Sequence, residues 1–213
     1  LYRQQRSHFG VSDATIPRAR LQEAWWKKRH QEKVNAARKG NCDLLLIGDS
    51  ITHGWESAGR ETFSKYYAGR NTLNLGFSGD RTQHVLWRLL NGELPPQVKP
   101  KVAVMMIGTN NTGHVMQKAD ETAAGIKAII ALLRDRRPEM KILLLGIFPR
   151  GSNADDPKRK LNDEVNSLAA ELADNQHIHF MDISGEFLAG DRTLPKDIMP
   201  DGLHPNAKGY QVW

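Results

Sequence analysis

The sequence has one cysteine, no long apolar run, no internal repeat and no block of like charge. A single thiol, Cys42, rules out an internal disulfide and a zinc site built on cysteines. The longest apolar stretches, such as Val102 to Ile107 and Ile142 to Leu145, fall far short of the roughly 20 residues needed to cross a bilayer, so no membrane span is expected. The formal charge of +6 invites an acidic partner, yet the 30 Lys and Arg are scattered among 24 Asp and Glu. A solvated basic surface follows from that pattern, and nucleic-acid binding would rest on net charge alone. At 213 residues one domain is expected over 1–213, with 1–40 an N-terminal arm and helix packed on it. Compartment is not legible, since the chain suits a cytoplasmic protein or an exported one that has lost a leader.

What the sequence does contain is organised around Asp43 to Thr52. Four apolar residues in a row, Leu44 to Ile47, read as a strand buried on both faces, and Gly48 ends it. Asp49 and Ser50 follow at once. Further strands are expected at Thr72 to Leu75, Val102 to Ile107, Lys141 to Ile147 and His177 to Ile183. Helical spacing separates them: a polar stretch at Glu56 to Tyr67, then Thr82 to Asn91, Glu121 to Arg136 and Lys158 to Asp174. Upstream, Pro17 opens a predicted helix that runs to Gly40, with Lys27-Lys28-Arg29-His30 as a solvent-facing flank and one ring of Trp25-Trp26 against the sheet. This alternation calls for right-handed βαβ units and a parallel sheet between helix layers. Parallel strands deliver all their carboxyl ends to one edge, so GDS, GFSGD and GTNN converge there, and Asp201-Gly202-Leu203-His204 can reach the same edge.

A serine hydroxyl needs a base within about 2.6–3.2 Å, itself held by a third group. Ser50, His204 and Asp201 fit those roles, because a three-residue separation lets one turn present both carboxylate and imidazole. Donors for a developing oxyanion would come from the N–H groups of Ser50 and Gly79 and the side-chain amide of Asn110.

These blocks, GDSIT, Gly79 in GFSGD, GTNN and DGLH, occur in order and resemble the SGNH (GDSL-type) hydrolase superfamily. NLGFSGDRTQHVLWRLLNGEL, PKVAVMMIGTNN and GIFPRG are similar to catalytic subunits of type Ib platelet-activating-factor acetylhydrolase. The resemblance implies a flavodoxin-like three-layer α/β/α sandwich on a five-stranded parallel sheet. It also implies a serine esterase without metal or cofactor: Ser50 as nucleophile, His204 as base, Asp201 as orienting group, and Ser50, Gly79 and Asn110 as the oxyanion hole. A homodimer is implied by the family as well. Ile51-Thr52-His53-Gly54-Trp55 and Gly202-Leu203-His204-Pro205-Asn206 lie closer to bacterial esterases, which brings acetylated sugars or xylan fragments in beside phospholipid acetyl esters. An acyltransferase or a non-catalytic binding protein is the alternative from another class.

Around the centre, Asp49 is expected to brace the turn holding Ser50, and Ile51 and His53 to line or rim the pocket. Asp80 is expected to pair with Arg81 and fix the oxyanion loop, the alternative being that Arg81 meets an anionic leaving group. Asn111 and His114 are expected to shape the mouth. His84 and Trp87 read as packing, and His177 with His179 lack the partners that would complete a metal site.

Overall fold

The computed structural model describes residues 12–213, so most of the arm expected before Thr15 lies outside the described residues. Five parallel strands, β1 Leu44–Gly48, β2 Thr72–Gly76, β3 Val102–Met106, β4 Lys141–Leu145 and β5 Ile178–Met181, form one sheet in the order β2-β1-β3-β4-β5. Gly48 lies in register with both Gly76 and Met106. The three strands therefore end level, and the segments after them leave the same edge of the sheet.

The eight α-helices among the described residues are α1 Ala24–Arg38, α2 Ser50–His53, α3 Arg60–Tyr66, α4 Thr82–Arg88, α5 Thr109–Val115, α6 Ala119–Arg136, α7 Pro157–Ala170 and α8 Ala207–Val212. Strand residues alternate between two apolar cores. Leu45, Ile47, Ala103, Met105, Ile142 and Leu144 face α1, α4, α6 and α7, where Ile126, Ile129, Ile130 and Leu133 form the buried stripe of α6. Met106 and Leu145 face the other way, with Ile51, Phe148 and Phe187, and Leu44 and Leu46 pack there on Trp55 and Tyr210. Each side chain of this buried kind contributes about 1.5–3 kcal/mol on leaving water. The result is helix, sheet, helix.

Helix ends follow local chemistry. Asp156 caps α7 by accepting from the N–H groups of Lys158 and Arg159, with Pro157 in the first turn, where its missing N–H costs nothing. Asn206 caps α8 through the N–H of Gly209. Gly76 has a steric reason to be glycine: a Cβ there would stand 2.2 Å from the main-chain nitrogen of His53, so α2 could not settle on the sheet edge.

Several expectations need correction. The first helix begins at Ala24 rather than Pro17, because the Arg18 N–H is tied to the Gln83 carbonyl at 3.0 Å and Arg20 sends its guanidinium into the loop after β2. Of the basic run, Lys27 and Lys28 are exposed but Arg29 and His30 are buried. Arg29 donates to the Gly76 carbonyl and pairs with Glu56, while His30 sits between Glu93 and the Asn91 carbonyl. Trp26 is the ring that packs inward, on Phe77, His30 and Trp87, and Trp25 faces solvent. The polar stretch after β1 is a 3-10 turn at Gly54–Glu56 followed by α3. α4 stops at Arg88 and passes into a π-turn over Leu89–Glu93, where Gly92 takes φ +110°. β5 starts at Ile178, one residue after His177, whose carbonyl accepts the Ile142 N–H at 2.7 Å.

Candidate active site

Ser50 is the first residue of α2, directly beyond the carboxyl end of β1. Asp49 holds the turn by accepting the Ile51 N–H at 3.0 Å. From the far end of the chain, the loop before α8 brings His204 to it: Ser50 Oγ and His204 Nε2 are 2.9 Å apart, and both side chains remain partly accessible. His204 Nδ1 and Asp201 Oδ2 are 2.6 Å apart. The other oxygen of Asp201 accepts the N–H groups of Leu203 at 3.0 Å and His204 at 2.7 Å, which folds the four residues into a turn and fixes the ring. Burial pushes the Asp201 carboxyl up, but the imidazole and these two N–H groups outweigh it and hold the group below its ordinary value. A carboxylate there selects the tautomer with hydrogen on Nδ1, which leaves Nε2 free to accept the Ser50 hydroxyl.

The donor side is built by the loop after β2 and the start of α5. Gly79 has φ +75°, a backbone shape that L side chains rarely take, and a Cβ would lie 3.2 Å from the Arg20 guanidinium. Asn110 is 3 % exposed and its amide donates one hydrogen to the Asp80 carbonyl at 2.9 Å, tying α5 to the residue after Gly79. The second amide hydrogen and the N–H groups of Ser50 and Gly79 take no partner among the described residues. These three donors are therefore free.

Beneath the loop runs a buried chain of charge. Asp80, fully buried, receives Arg88 Nε, Arg20 Nη1 and Trp26 Nε1, each at 2.8 Å. Arg88, also fully buried, reaches on to Glu93, and Glu93 meets His30 Nδ1 at 2.9 Å. Arg20 donates in addition to the Ser78 carbonyl and is held by Glu23. The expected Asp80–Arg81 pair is therefore absent: Asp80 is already filled by Arg88, Arg20 and Trp26.

Other expected neighbours divide into those that face the site and those that support it. Ile51 lies in the core at 1 % exposure and lines nothing. Asn111 is wholly buried and does not shape the mouth, because its amide is spent on Thr82 and Gln117. His114 is exposed at the end of α5. His53 is partly buried, with Nδ1 3.1 Å from Ser78 Oγ, and burial, then the charge of Arg29, push its pKa down to about 4. His84 Nδ1 accepts the Arg81 N–H at 3.0 Å, and burial followed by the charge of Arg81 pushes it down to about 3. Asp49 has a second oxygen with no partner; burial raises the carboxyl to about 7, against the Ile51 N–H and the charge of His204. Arg20, Arg88 and Arg150 were not picked out from sequence, and Trp26 was read only as one of two candidate packing rings. Arg150 donates to the carbonyl and hydroxyl of Thr109, at the mouth of α5. Among the described residues no three His, Cys, Asp or Glu side chains come together to hold a metal ion, and no helix is long and apolar enough to cross a membrane.

The family model of the GDSL-like lipase/acylhydrolases matches residues 46–212, from within β1 to within α8. The chain belongs to this family. Acylhydrolase relatives include the human platelet-activating factor acetylhydrolase IB subunit alpha1, 39 % identical over 188 residues that cover 87 % of this chain and 78 % of the relative. The rat alpha2 subunit is likewise 39 % identical, with the same coverage. Among solved structures, a GDSL-like lipase from Bacteroides thetaiotaomicron superposes with a TM-score of 0.65 at 23 % identity, covering 87 % of this chain and 91 % of that one. A catalytic mutant of an acetylxylan esterase from Geobacillus stearothermophilus gives 0.62 at 20 % identity, over 79 % and 89 %. These two likenesses share the acylhydrolase fold. Within the matched segment fall all of Ser50, Gly79, Asn110, Asp201 and His204; Arg20 and Trp26, which brace the Gly79 loop, precede it.

Proposed function

We propose that this acylhydrolase is a serine esterase that cleaves short-chain esters, acetyl esters above all, through an acyl-enzyme. The observation that carries the reading is the relay Asp201 Oδ2, His204 Nδ1, His204 Nε2, Ser50 Oγ, with gaps of 2.6 and 2.9 Å. His204 takes the hydroxyl proton as Ser50 Oγ attacks the ester carbon. The carbonyl oxygen becomes an anion, held by the N–H groups of Ser50 and Gly79 and by the free hydrogen of the Asn110 amide. Collapse expels the alcohol, which receives the proton from His204, and water repeats the sequence to release the acid. Asp201 stabilises the imidazolium that forms in both halves.

Support for a short acyl group comes from the names of the related proteins. An acetylhydrolase and an acetylxylan esterase share the acetyl group and differ in the alcohol. Acetylated sugars or xylan fragments and phospholipid acetyl esters are the substrate classes these names support, and a transferase outcome would use the same residues with an alcohol in place of water. Turnover of 4-nitrophenyl acetate and octanoate, in the wild-type protein and in Ser50→Ala, tests the reading. We expect acetate to be preferred and Ser50→Ala to abolish turnover with an unchanged melting curve. Preference for octanoate would overturn the short-chain assignment, and full activity without the Ser50 hydroxyl would overturn the esterase.

A further inference from the structure

Arg81 stands two residues after Gly79, half-buried, and its guanidinium makes neither a hydrogen bond nor an ion pair among the described residues. Only its main chain is used: the N–H donates to His84 Nδ1, and the carbonyl accepts the N–H groups of His84 and Val85. The neighbouring carboxylate of Asp80 is filled by Arg88, Arg20 and Trp26 and cannot serve it. Burial, and then the like charges of Arg18 and Arg20, press the guanidinium below its ordinary value. Asp13 and Asp80 act on it only through their charge, so this partly desolvated cation has no hydrogen-bonded counter-charge.

Arg150 is the second such group. It is held by Thr109 and forms no ion pair among the described residues, and it lies within electrostatic range of Asp156, then of Asp49 and Asp201 on the Ser50–His204 side. Arg81 lines one surface cleft with Asp13, Arg18, Lys118 and Glu121, Arg150 lines a second with Asp156, Lys158 and Asp201, and the exposed Met116 lines both, so the two arginines describe an arc from the Gly79 loop to the His204 loop. Burial, and then the charges of Arg81 and Arg150, also lower the pKa of the exposed His114. Of the acids lining these clefts, Asp13 lies 3.8 Å from Arg18, Asp156 caps α7 and Asp201 holds His204, while Glu121 makes no ion pair with either arginine.

We propose that this arc binds an anionic group, phosphate or carboxylate, carried by the alcohol portion of the ester, with Arg81 as its principal contact. The inference rests on the esterase reading, and an acetyl group, which carries no anion, assigns the charge to the alcohol. Its consequence is selectivity: charge-assisted hydrogen bonds from Arg81 favour an anionic alcohol over a neutral one of the same shape.

The test compares three acetate esters, 4-acetoxybenzoate, 4-acetoxyphenyl phosphate and the neutral, nearly isosteric 4-acetoxybenzamide. The readout is the ratio of kcat/KM for each anion to that for the amide, in which the intrinsic reactivity of each leaving group cancels between variants. Arg81→Gln is expected to lower the ratio about tenfold and Arg81→Glu further, while Arg81→Lys keeps most of it. In the wild type, 0.5 M NaCl should compress the ratio. The arm that falls more, carboxylate or phosphate, identifies the preferred anion. Matching melting curves establish that the variants fold. An unmoved ratio in both Arg81→Gln and Arg81→Glu, or an equal fall on all three esters, overturns the proposal while leaving the esterase intact. A wild type that cleaves none of the esters, nor 4-nitrophenyl acetate, overturns both.

Discussion

Replacing Asp80 with asparagine keeps the shape of the side chain and removes its charge, which isolates what the buried network contributes. Three donors enter the two carboxylate oxygens, from Arg88, Arg20 and Trp26, each at 2.8 Å. An amide turns an NH2 group toward one of those donors and leaves Arg88, which has no exposure, with Glu93 as its one remaining anion. Removing one member of a buried pair costs roughly 3–5 kcal/mol, because the survivor stays desolvated. Glu93 is still present and Arg20 is partly reached by water, so the lower end applies, about 3 kcal/mol. For a chain of this size each kcal/mol moves the melting point by about 2–4 °C, which gives a fall of roughly 6–12 °C by circular dichroism. Activity should fall too, and in kcat more than in KM, since the Asp80 carbonyl holds the Asn110 amide and Gly79 immediately precedes it. Asp80→Asn melting within about 2 °C of wild type would refute the claim that these charges hold the loop.

Three further outcomes follow from named contacts. Gly79→Ala places a Cβ at φ +75° and 3.2 Å from Arg20, so stability should drop by about 1–3 kcal/mol and kcat by at least roughly tenfold; unchanged kinetics would remove Gly79 from the donor set. Asp201→Asn should keep the melting point, because the residue is exposed, and lower kcat roughly 10³-fold or more as the amide favours the wrong imidazole tautomer; a loss in KM alone would contradict an orienting role. Acid should destabilise the fold early. His84 and His53 stay neutral in the folded protein to about 3 and about 4, whereas in the unfolded chain they take a proton near 6.5, so the unfolded state binds more protons and stability falls as pH drops through that window. His84 alone accounts for about 2 kcal/mol between pH 7.5 and 5, read as a lower urea midpoint, and His84→Gln should flatten that limb. An equal acid loss in His84→Gln would assign it to other groups.

The strands were legible because burial on both faces leaves an unbroken apolar run, as at Leu44 to Ile47, and the glycine after it marks the edge where polar residues collect. Helix periodicity placed Ile126, Ile129 and Ile130 correctly for the same reason. What escaped was long-range. A guanidinium looks alike in sequence whether it ends in water or, as with Arg29 and Arg88, is itself buried against a carboxylate brought from another element. Asn110 and Asn111 are consecutive, yet a helix turns about 100° between them, so one amide reaches the Asp80 carbonyl while the other disappears among Thr82 and Gln117. Ile51 was misread likewise: one step along α2 from Ser50 points it into the core. Arg20 went unnoticed because the predicted helix absorbed it, where the chain instead makes a turn, with the Glu23 N–H on the Arg20 carbonyl, and the side chain reaches the Gly79 loop.

Ser50 and His204 are 154 positions apart, one leaving the first strand and the other in the last loop before the final helix. During synthesis on a ribosome, every strand of the sheet emerges before the imidazole does. On the proposed esterase reading, a chain truncated before position 204 keeps the five strands and still lacks its base, so turnover reports the far end of the chain and not the sheet alone.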